Sequence, residues 1–213
     1  MKINLAEVGK RYNYEWIFRN INFEFAPGRA YAILGHNGSG KSTLLNLLTG
    51  YLSPSEGTLT HTFQSSIISA DNIYRYLSFT APYLELIEEF TLSEVVQYHS
   101  RFREMLTSSP SDLIQKLFLQ KSKDKYIKDF SSGMKQRLKL GLAIYTNAPL
   151  LLLDEPTTNL DQEGINWYLE HVHQNRQNRL IIVSSNVAHE YSFCDEKINI
   201  TDYHYKSARQ SVK

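Results

Sequence analysis

The sequence has 213 residues, enough for one domain, with room for a subdomain, around a sizeable hydrophobic core. Its 23 basic and 22 acidic side chains nearly balance, which argues against the charged surface of a protein that binds nucleic acid or an anionic membrane directly. Cys194 is the single cysteine, which excludes an internal disulfide framework, and no apolar stretch approaches the roughly 18 residues of a membrane span. Because the N-terminal stretch MKINLAEVGKRY also lacks the apolar run of a signal peptide, we expect a soluble, cytoplasmic protein.

The first 34 residues are predicted to form β-strands. Residues 21–25 alternate between apolar and polar side chains, the pattern of a half-buried strand. Pro27 and Gly28 predict a turn, and residues 30–34 form an apolar run of strand length. Further short strands are predicted at 58–63, 67–68 and 75–80.

Residues 35–43 read GHNGSGKST and lie between that apolar run and a predicted helix that stops at Gly50. They match G-x-x-x-x-G-K-[ST], a loop in which glycines let backbone N–H groups approach an anion at the positive end of a helix. We expect Lys41 to reach the β- and γ-phosphates of a nucleotide and the Ser42 hydroxyl to bind Mg²⁺. The alternative is a flexible connection between a strand and a helix. The residues predicted to bind the nucleotide here are Gly35, His36, Asn37, Gly38, Ser39, Gly40, Lys41, Ser42 and Thr43.

The region that follows changes from strands to helices. Thr91 and Glu94 have the spacing of a capping box and predict a helix that runs to about Met105. Ser108-Ser109-Pro110 is expected to interrupt the helical stretch before a second helix over 112–119. Residues 83–130 are therefore predicted to be a helical insert. After Ser131 and Ser132, another helix is predicted over 133–145.

Two continuous apolar runs, 150–153 and 180–183, predict strands buried on both faces of a mostly parallel sheet. The first run ends in Asp154 and Glu155. A carboxylate at the end of a buried strand, beside a phosphate-binding loop, is placed to hold Mg²⁺, and we assign this role to Asp154. Glu155 would then orient or deprotonate the attacking water. The alternative is a core strand that reaches the surface at an acidic turn.

Residues 130–137, FSSGMKQR, complete a set of three motifs together with the loop at 35–43 and LLLLDEP at 150–156. In these motifs, and over nearly its whole length, the sequence resembles the ATP-binding subunits of ABC transporters. The resemblance implies an α/β fold: a P-loop NTPase core with a mostly parallel sheet, an N-terminal antiparallel β subdomain and a helical insert. It also implies a single domain over 1–213, in which 1–82 and 131–205 form the core, 83–130 the helical subdomain and 206–213 a polar tail.

The resemblance also implies how two chains share their sites. Ser131 and Gly133 lie at a predicted helix N-terminus, a favourable place for an anion, and in this family the element contacts the γ-phosphate bound to the opposite subunit. A serine N-cap without any ligand is the alternative. Residues 157–161, TTNLD, resemble the D-loop and add Asp161 to the site. Tyr12 matches the aromatic residue that stacks on adenine, with Tyr14 and Trp16 as competing candidates.

Two positions depart from the family pattern. After the strand that ends near Thr80, the family has a glutamine, whereas this sequence has Ala81-Pro82-Tyr83. After residues 180–183 the family has a histidine that contacts the γ-phosphate. Counting back from Cys194-Asp195 places Ser185 at that position, with Asn186 as its neighbour and His189 too far along to substitute. We therefore predict slow ATP hydrolysis that depends on Glu155, Lys41 and Ser185.

The favoured function is an ATP-hydrolysing subunit that uses ATP and Mg²⁺ to power a membrane transporter. It would act as a homodimer, or as a heterodimer with another ATPase chain, at the inner face of the membrane through a membrane-embedded subunit that docks near residues 81–89. A nucleotide-dependent clamp with negligible hydrolysis is the first alternative. A small-molecule kinase or GTPase is the second, but such enzymes do not need FSSGMKQR, and the segment 159–161 lacks the lysine of a guanine-reading motif.

Overall fold

The computed structural model describes residues 1–204, within which the chain forms nine β-strands and five α-helices. The predicted polar tail at 206–213 lies outside the described residues. The strands are β1 (Lys2–Tyr12), β2 (Glu15–Phe25), β3 (Ala30–Leu34), β4 (Glu56–Phe63), β5 (Ser66–Ile68), β6 (Leu77–Thr80), β7 (Leu150–Asp154), β8 (Leu180–Ser184) and β9 (Glu196–Asn199). The α-helices are α1 (Lys41–Leu48), α2 (Leu92–Phe102), α3 (Pro110–Lys116), α4 (Ser132–Tyr145) and α5 (Gln162–Gln174). Short 3₁₀ helices span Ala70–Arg75, Gln120–Ser122, Ile127–Asp129, Ala188–Tyr191 and Ile200–Tyr203.

The strands form two sheets, as predicted. One is a five-stranded sheet in the order β6-β7-β8-β3-β9, and every pair in it is parallel. The other is an antiparallel sheet in the order β2-β1-β4-β5, formed by the N-terminal part of the chain. The predicted α/β class, with a parallel core sheet and an N-terminal antiparallel β subdomain, is confirmed.

The leucines of β7 explain why this strand is apolar throughout. Leu151 and Leu153 pack into a core that also contains residues of α2 to α5, whereas Leu150 and Leu152 pack into a second core with α1 and the antiparallel sheet. Successive side chains of a strand point to opposite faces, so a strand covered on both faces needs apolar residues at every position. Each fully buried leucine contributes about 1.5–3 kcal/mol by removal of its surface from water. The buried leucines fix β7 within the sheet, and Asp154 therefore has a fixed position at the end of this strand.

The helix boundaries differ from the predicted ones in two places. The capping box at α2 is present, with Thr91 and Glu94 exchanging hydrogen bonds, but the helix ends at Phe102 because Met105 forms a β-bridge with Thr146. Residues 108–110 do separate the two helices, as predicted, but α3 spans Pro110–Lys116 instead of 112–119. Ser109 caps it, and proline suits the first helical turn because its missing N–H has no partner there in any case.

Helix α4 approaches α3 closely at Gly141. A Cβ at this position would lie 2.1 Å from Cδ2 of Leu117, which is fully buried and cannot move without displacing its neighbours. We expect Gly141→Ala to destabilise the protein by about 1 kcal/mol, since overpacking costs about 1–3 kcal/mol and the gain in helix propensity recovers only about 1 kcal/mol. Urea unfolding measures the difference. In a Leu117→Ala background the same change should become stabilising, and stabilisation in the unaltered background would contradict the packing argument.

Candidate nucleotide-binding site

The loop between β3 and α1 curls as the phosphate-binding interpretation requires. Gly35 has φ 151° and a Cβ there would lie 2.4 Å from the Ser39 hydroxyl oxygen, while Gly40 has φ 99° and its Cβ would lie 2.5 Å from Ile17. Other residues are strained at both positions, in backbone conformation and in space. The two glycines therefore allow the backbone of the loop to close tightly at the N-terminus of α1.

Lys41 is held inside this loop. Its side chain is buried, and Nζ donates hydrogen bonds to the carbonyl oxygens of Gly35 at 2.8 Å and His36 at 3.2 Å. A buried ammonium group whose bonded partners are backbone carbonyl groups is neutralised only partly, because these dipoles carry no net charge. An anion such as a phosphate is the ligand that would complete the neutralisation.

The loop and the acidic end of β7 meet in one cavity of about 210 Å³. Glu155 lines this cavity although it lies more than 100 residues beyond the loop in sequence. Its backbone has φ 42°, a left-handed conformation that is uncommon outside glycine and that accumulates at functional sites. The remaining lining residues are Ile17, Asn37, Gly38, Gly40, Lys41, Ser42 and Thr43.

Asp154 lies at the end of β7, opposite Ser184 of β8, and its side chain is buried. Its Oδ1 atom has no hydrogen-bond partner within residues 1–204. A buried carboxylate oxygen is normally paired with a hydrogen-bond donor or a cation. Mg²⁺ is commonly bound by one or two carboxylates together with phosphate oxygens of the substrate. The described residues contain no cluster of three or more histidine, cysteine or acidic side chains that could hold a metal ion. Asp154 and Ser42 fit a Mg²⁺ ion that arrives with a nucleotide.

The N-terminus of α4 lines a separate cavity of about 340 Å³. Ser131 caps the helix by accepting a hydrogen bond from the backbone N–H of Met134 at 3.2 Å. Asp161 likewise caps α5 by accepting from the N–H of Gly164 at 2.8 Å. Ser131, Gly133 and Asp161 thus lie together, but the residues lining their cavity include none from the phosphate-binding loop. Its lining residues are Leu119, Ser131, Ser132, Gly133, Met134, Arg137, Asn159, Leu160 and Asp161.

Residues 18–158 match the family model described as ABC transporter. The chain belongs to the ABC transporter family. A human relative, ATP-binding cassette sub-family A member 10, is 30% identical over 221 residues, which cover 99% of this chain and 14% of that protein. An uncharacterised ABC transporter ATP-binding protein of Bacillus subtilis is 27% identical over 202 residues, which cover 91% of this chain and 89% of the relative.

The fold of this ABC family member also matches solved structures. One is described as the dimeric post-hydrolysis state of an ATP-binding cassette bound to ADP and Pi, and it superposes with a TM-score of 0.81 at 20% identity. The match covers 96% of this chain and 97% of that chain. Within residues 1–204 no helix is long and apolar enough to span a bilayer.

The segment after β8 gives Ser185, the residue predicted at the histidine position, and Asn186 different surroundings. The Ser185 side chain is fully buried, and its hydroxyl accepts a hydrogen bond from the N–H of Val187 at 2.8 Å. Asn186 is exposed instead, and its Nδ2 donates to Oδ1 of Asn37 in the phosphate-binding loop at 3.2 Å. The structure therefore places Asn186, and not the Ser185 hydroxyl, at the loop, and His189 contacts Thr157 instead.

The three candidates for the adenine-stacking residue of the family differ in their surroundings. Tyr12 ends β1 and is about half exposed, with Lys10 Nζ 5.4 Å from the centre of its ring. Tyr14, in the turn to β2, is 95% exposed and makes no ring contact within the described residues. Trp16 has the guanidinium group of Arg19 4.2 Å from its ring centre. Tyr12 stays the predicted stacking residue, with Tyr14 and Trp16 as its alternatives.

The segment after β6, Ala81-Pro82-Tyr83, is hydrogen-bonded to α4. Lys139 of α4 donates to the carbonyl oxygens of Ala81 at 3.3 Å and Pro82 at 3.0 Å. Burial raises the pKa of Tyr83, and the negative charge of Asp154 raises it further, so the hydroxyl stays protonated.

Proposed function

We propose that this chain is the ATP-binding and ATP-hydrolysing subunit that powers a membrane ABC transporter. The observation that carries the proposal is the shared cavity of the phosphate-binding loop and Glu155. Lys41 would exchange its two carbonyl partners for phosphate oxygens, and the loop N–H groups would hold the remaining charge. Mg²⁺ bound with the nucleotide would neutralise charge on the phosphates, held by Asp154 and Ser42. Glu155 would orient the attacking water and accept its proton.

We propose further that two chains are needed for each complete site, either two copies or a pair with another ATPase chain. The support is that Ser131 and Gly133 line a cavity of their own in the single chain, away from the loop. A helix N-terminus attracts an anion, so a second chain placed head to tail could bring its Ser131 to the nucleotide of the first. The solved ATP-binding cassette of the same fold is itself described as a dimer. ATP would then promote association and hydrolysis would end it.

A membrane-embedded partner is proposed to dock at a cavity of about 580 Å³ between the segment after β6 and α4. The cavity combines apolar side chains with carboxylates, and one of these, Glu88, pairs with Lys135 of α4. The helical subdomain proposed for residues 83–130 supplies much of this wall. The lining residues are Pro82, Leu84, Glu85, Leu86, Ile87, Glu88, Glu89, Lys135 and Lys139. This docking would place the chain at the inner face of the membrane.

The hydrolysis is proposed to be slow, because Asn186 is a neutral amide at the phosphate-binding loop. We expect Asn186→His to raise kcat for Mg-ATP by at least about 10-fold, since a positioned proton-transfer group is typically worth about 10²–10⁴ in rate. Ser185→Ala should leave kcat within about 2-fold, because its hydroxyl bonds only its own turn. Steady-state phosphate release measures both. A large loss in Ser185→Ala with no gain in Asn186→His would restore the original assignment of Ser185.

The alternative is a nucleotide-dependent clamp, which the neutral Asn186 favours. The two functions are separated by measuring ATP binding and Mg-ATP turnover on the same purified chain, with sizing in the presence and absence of ATP. Turnover that requires Glu155 supports the motor function. ATP binding with turnover at the background level, unchanged when Glu155 is replaced, supports the clamp.

A further inference from the structure

A buried glutamate, Glu190, lies behind the proposed site and binds the segment that leads away from Glu155. Its side chain is 2% exposed, and Oε1 accepts hydrogen bonds from both the N–H of Thr157, at 2.8 Å, and the Thr157 hydroxyl. Nε2 of His189 lies 3.0 Å from the same hydroxyl oxygen. A threonine hydroxyl that donates to the carboxylate can accept from the imidazole N–H. His189, Thr157 and Glu190 therefore form one hydrogen-bonded chain.

The burial of Glu190 is not explained by the stability of the fold alone. A buried carboxylate loses its hydration, and Oε2 of Glu190 is buried with no hydrogen-bond partner within residues 1–204. Replacing buried charged groups by well-packed apolar residues is often neutral or stabilising. The carboxylate at this position therefore points to a role beyond filling the core.

The two segments that Glu190 joins both carry parts of the proposed site. Glu190 belongs to the 3₁₀ helix Ala188–Tyr191, which closely follows Asn186 and its contact with the phosphate-binding loop. Thr157 lies two residues after Glu155 and two before Asn159. The carbonyl oxygen of Asn159 lies 3.1 Å from where a Cβ would be on Gly133. A displacement of Thr157 would thus move both the proposed base and the cavity that faces the second chain.

Glu190 is itself held firmly. The Tyr168 hydroxyl of α5 donates to the Glu190 carbonyl oxygen at 2.8 Å. Burial, and then the charge of Glu190, raise the pKa of Tyr168, so this hydroxyl remains a donor. Because its backbone is fixed to α5, the carboxylate holds Thr157 at a defined position relative to the segment after β8.

We propose that Glu190 is a positioning residue that couples the Asn186 segment to the segment running from Glu155 to Asn159. It does not touch the nucleotide. Its carboxylate keeps Thr157 at a fixed position relative to the turn after β8. A γ-phosphate bound beside Asn186 would therefore also fix the positions of Glu155 and of the Asn159 carbonyl group. This inference rests on the proposed ATP hydrolysis for its kinetic consequences, but the coupling itself is a property of the folded chain.

The kinetic test compares four variants with the unaltered chain. Glu190→Ala is expected to lower kcat for Mg-ATP by about 10- to 100-fold, because Glu155 would be misplaced relative to the nucleotide. KM should change by less than about 3-fold. Glu190→Gln keeps both the volume of the side chain and an acceptor oxygen for Thr157, and should retain at least about one third of kcat, a result that a requirement for the negative charge does not explain. Thr157→Val should lose activity, and Glu190→Ala/Thr157→Val should be no worse than Glu190→Ala. Glu170→Ala, which truncates an exposed glutamate of α5, is the matched control and should change nothing.

Two results would overturn the inference in this test. One is an unchanged kcat in Glu190→Ala, and the other is a double variant whose loss is the product of the two single losses. Should Glu190→Ala fail to fold by circular dichroism, Thr157→Val and Thr157→Ser decide, because both keep the volume of the site nearly unchanged. A lower kcat in Thr157→Val, with kcat close to that of the unaltered chain in Thr157→Ser, supports the coupling. Equal kcat in the two variants overturns it.

Hydrogen exchange separates this inference from the proposed function. Without nucleotide, Glu190→Ala should speed amide exchange in residues 156–161 and leave the loop at 35–43 unchanged. With a non-hydrolysable ATP analogue, the protection that the unaltered chain gains at 156–161 should disappear in the variant. If the unaltered chain never turns over Mg-ATP, the proposed function fails, and these two exchange measurements alone decide the coupling. Equal exchange at 156–161 in both chains contradicts it, whatever the turnover.

Discussion

Replacing Glu155 by glutamine is expected to lower kcat for Mg-ATP by about 10²–10⁴ while ATP still binds. Glu155 lines the cavity of the phosphate-binding loop, where its carboxylate can accept a proton from water. Glutamine has nearly the same shape and keeps an acceptor oxygen, but it takes up no proton. The expected result is therefore a loss of the chemical step with binding preserved, measured by phosphate release and by equilibrium nucleotide binding.

The same variant should reveal the proposed association of two chains. With hydrolysis blocked, ATP should hold the Glu155→Gln chain as a dimer in sizing, while the unaltered chain cycles back to the monomer. Glu170→Gln removes an exposed carboxylate of α5 and serves as the control for charge. Turnover in Glu155→Gln equal to that of the unaltered chain would assign the chemistry elsewhere and favour the clamp.

Replacing Lys41 by methionine is expected to weaken ATP binding by about 10- to 100-fold. The ammonium group is buried and bonded to two loop carbonyl oxygens, so it is already positioned where a phosphate would arrive. A hydrogen bond to a charged group contributes about 1.5–3 kcal/mol, which corresponds to this range of affinity. Methionine keeps the length and apolar stem of lysine and removes only the charge and the donors.

Equilibrium binding of ATP to the two chains measures this effect, and the rise in Tm with ATP should shrink in parallel. Lys2→Met is the matched control, because Lys2 pairs with Glu24 on the surface and lies outside the cavity. Equal dissociation constants for the Lys41→Met and unaltered chains would show that the loop does not hold the phosphates through this side chain.

The features that the sequence predicted well depend on neighbours along the chain. The strand before the phosphate-binding loop spans 30–34 as predicted, because a short apolar run is enough to indicate a buried strand. Helix α1 begins at Lys41, directly after the glycines of the loop. The capping box of α2 follows from the spacing of Thr91 and Glu94 alone. The four leucines of β7 predicted a strand buried on both faces, since side chains alternate between the faces at every residue.

Local patterns were less informative about the first residue of a helix and about the direction of a side chain. The second helix of the insert was expected to begin at residue 112, but Ser109 caps it and α3 begins at Pro110. Ser185 and Asn186 are adjacent polar residues, and no local rule tells which of the two faces a loop about 150 residues earlier in the chain. In the structure, Asn186 contacts Asn37 of that loop.

By itself, the sequence determined the strands of the parallel core and the three motifs, because short-range patterns of apolar, glycine and capping residues suffice for them, while the antiparallel subdomain followed from the resemblance to the ABC family. Only the tertiary structure brought Glu155 to the loop, kept Ser131 and Gly133 in a cavity apart from it, and paired Glu190 with Thr157 across 33 residues. These contacts form where strand ends and helix ends meet. Which residues meet there depends on how the two hydrophobic cores pack on the faces of the sheet, and no local sequence pattern predicts this packing.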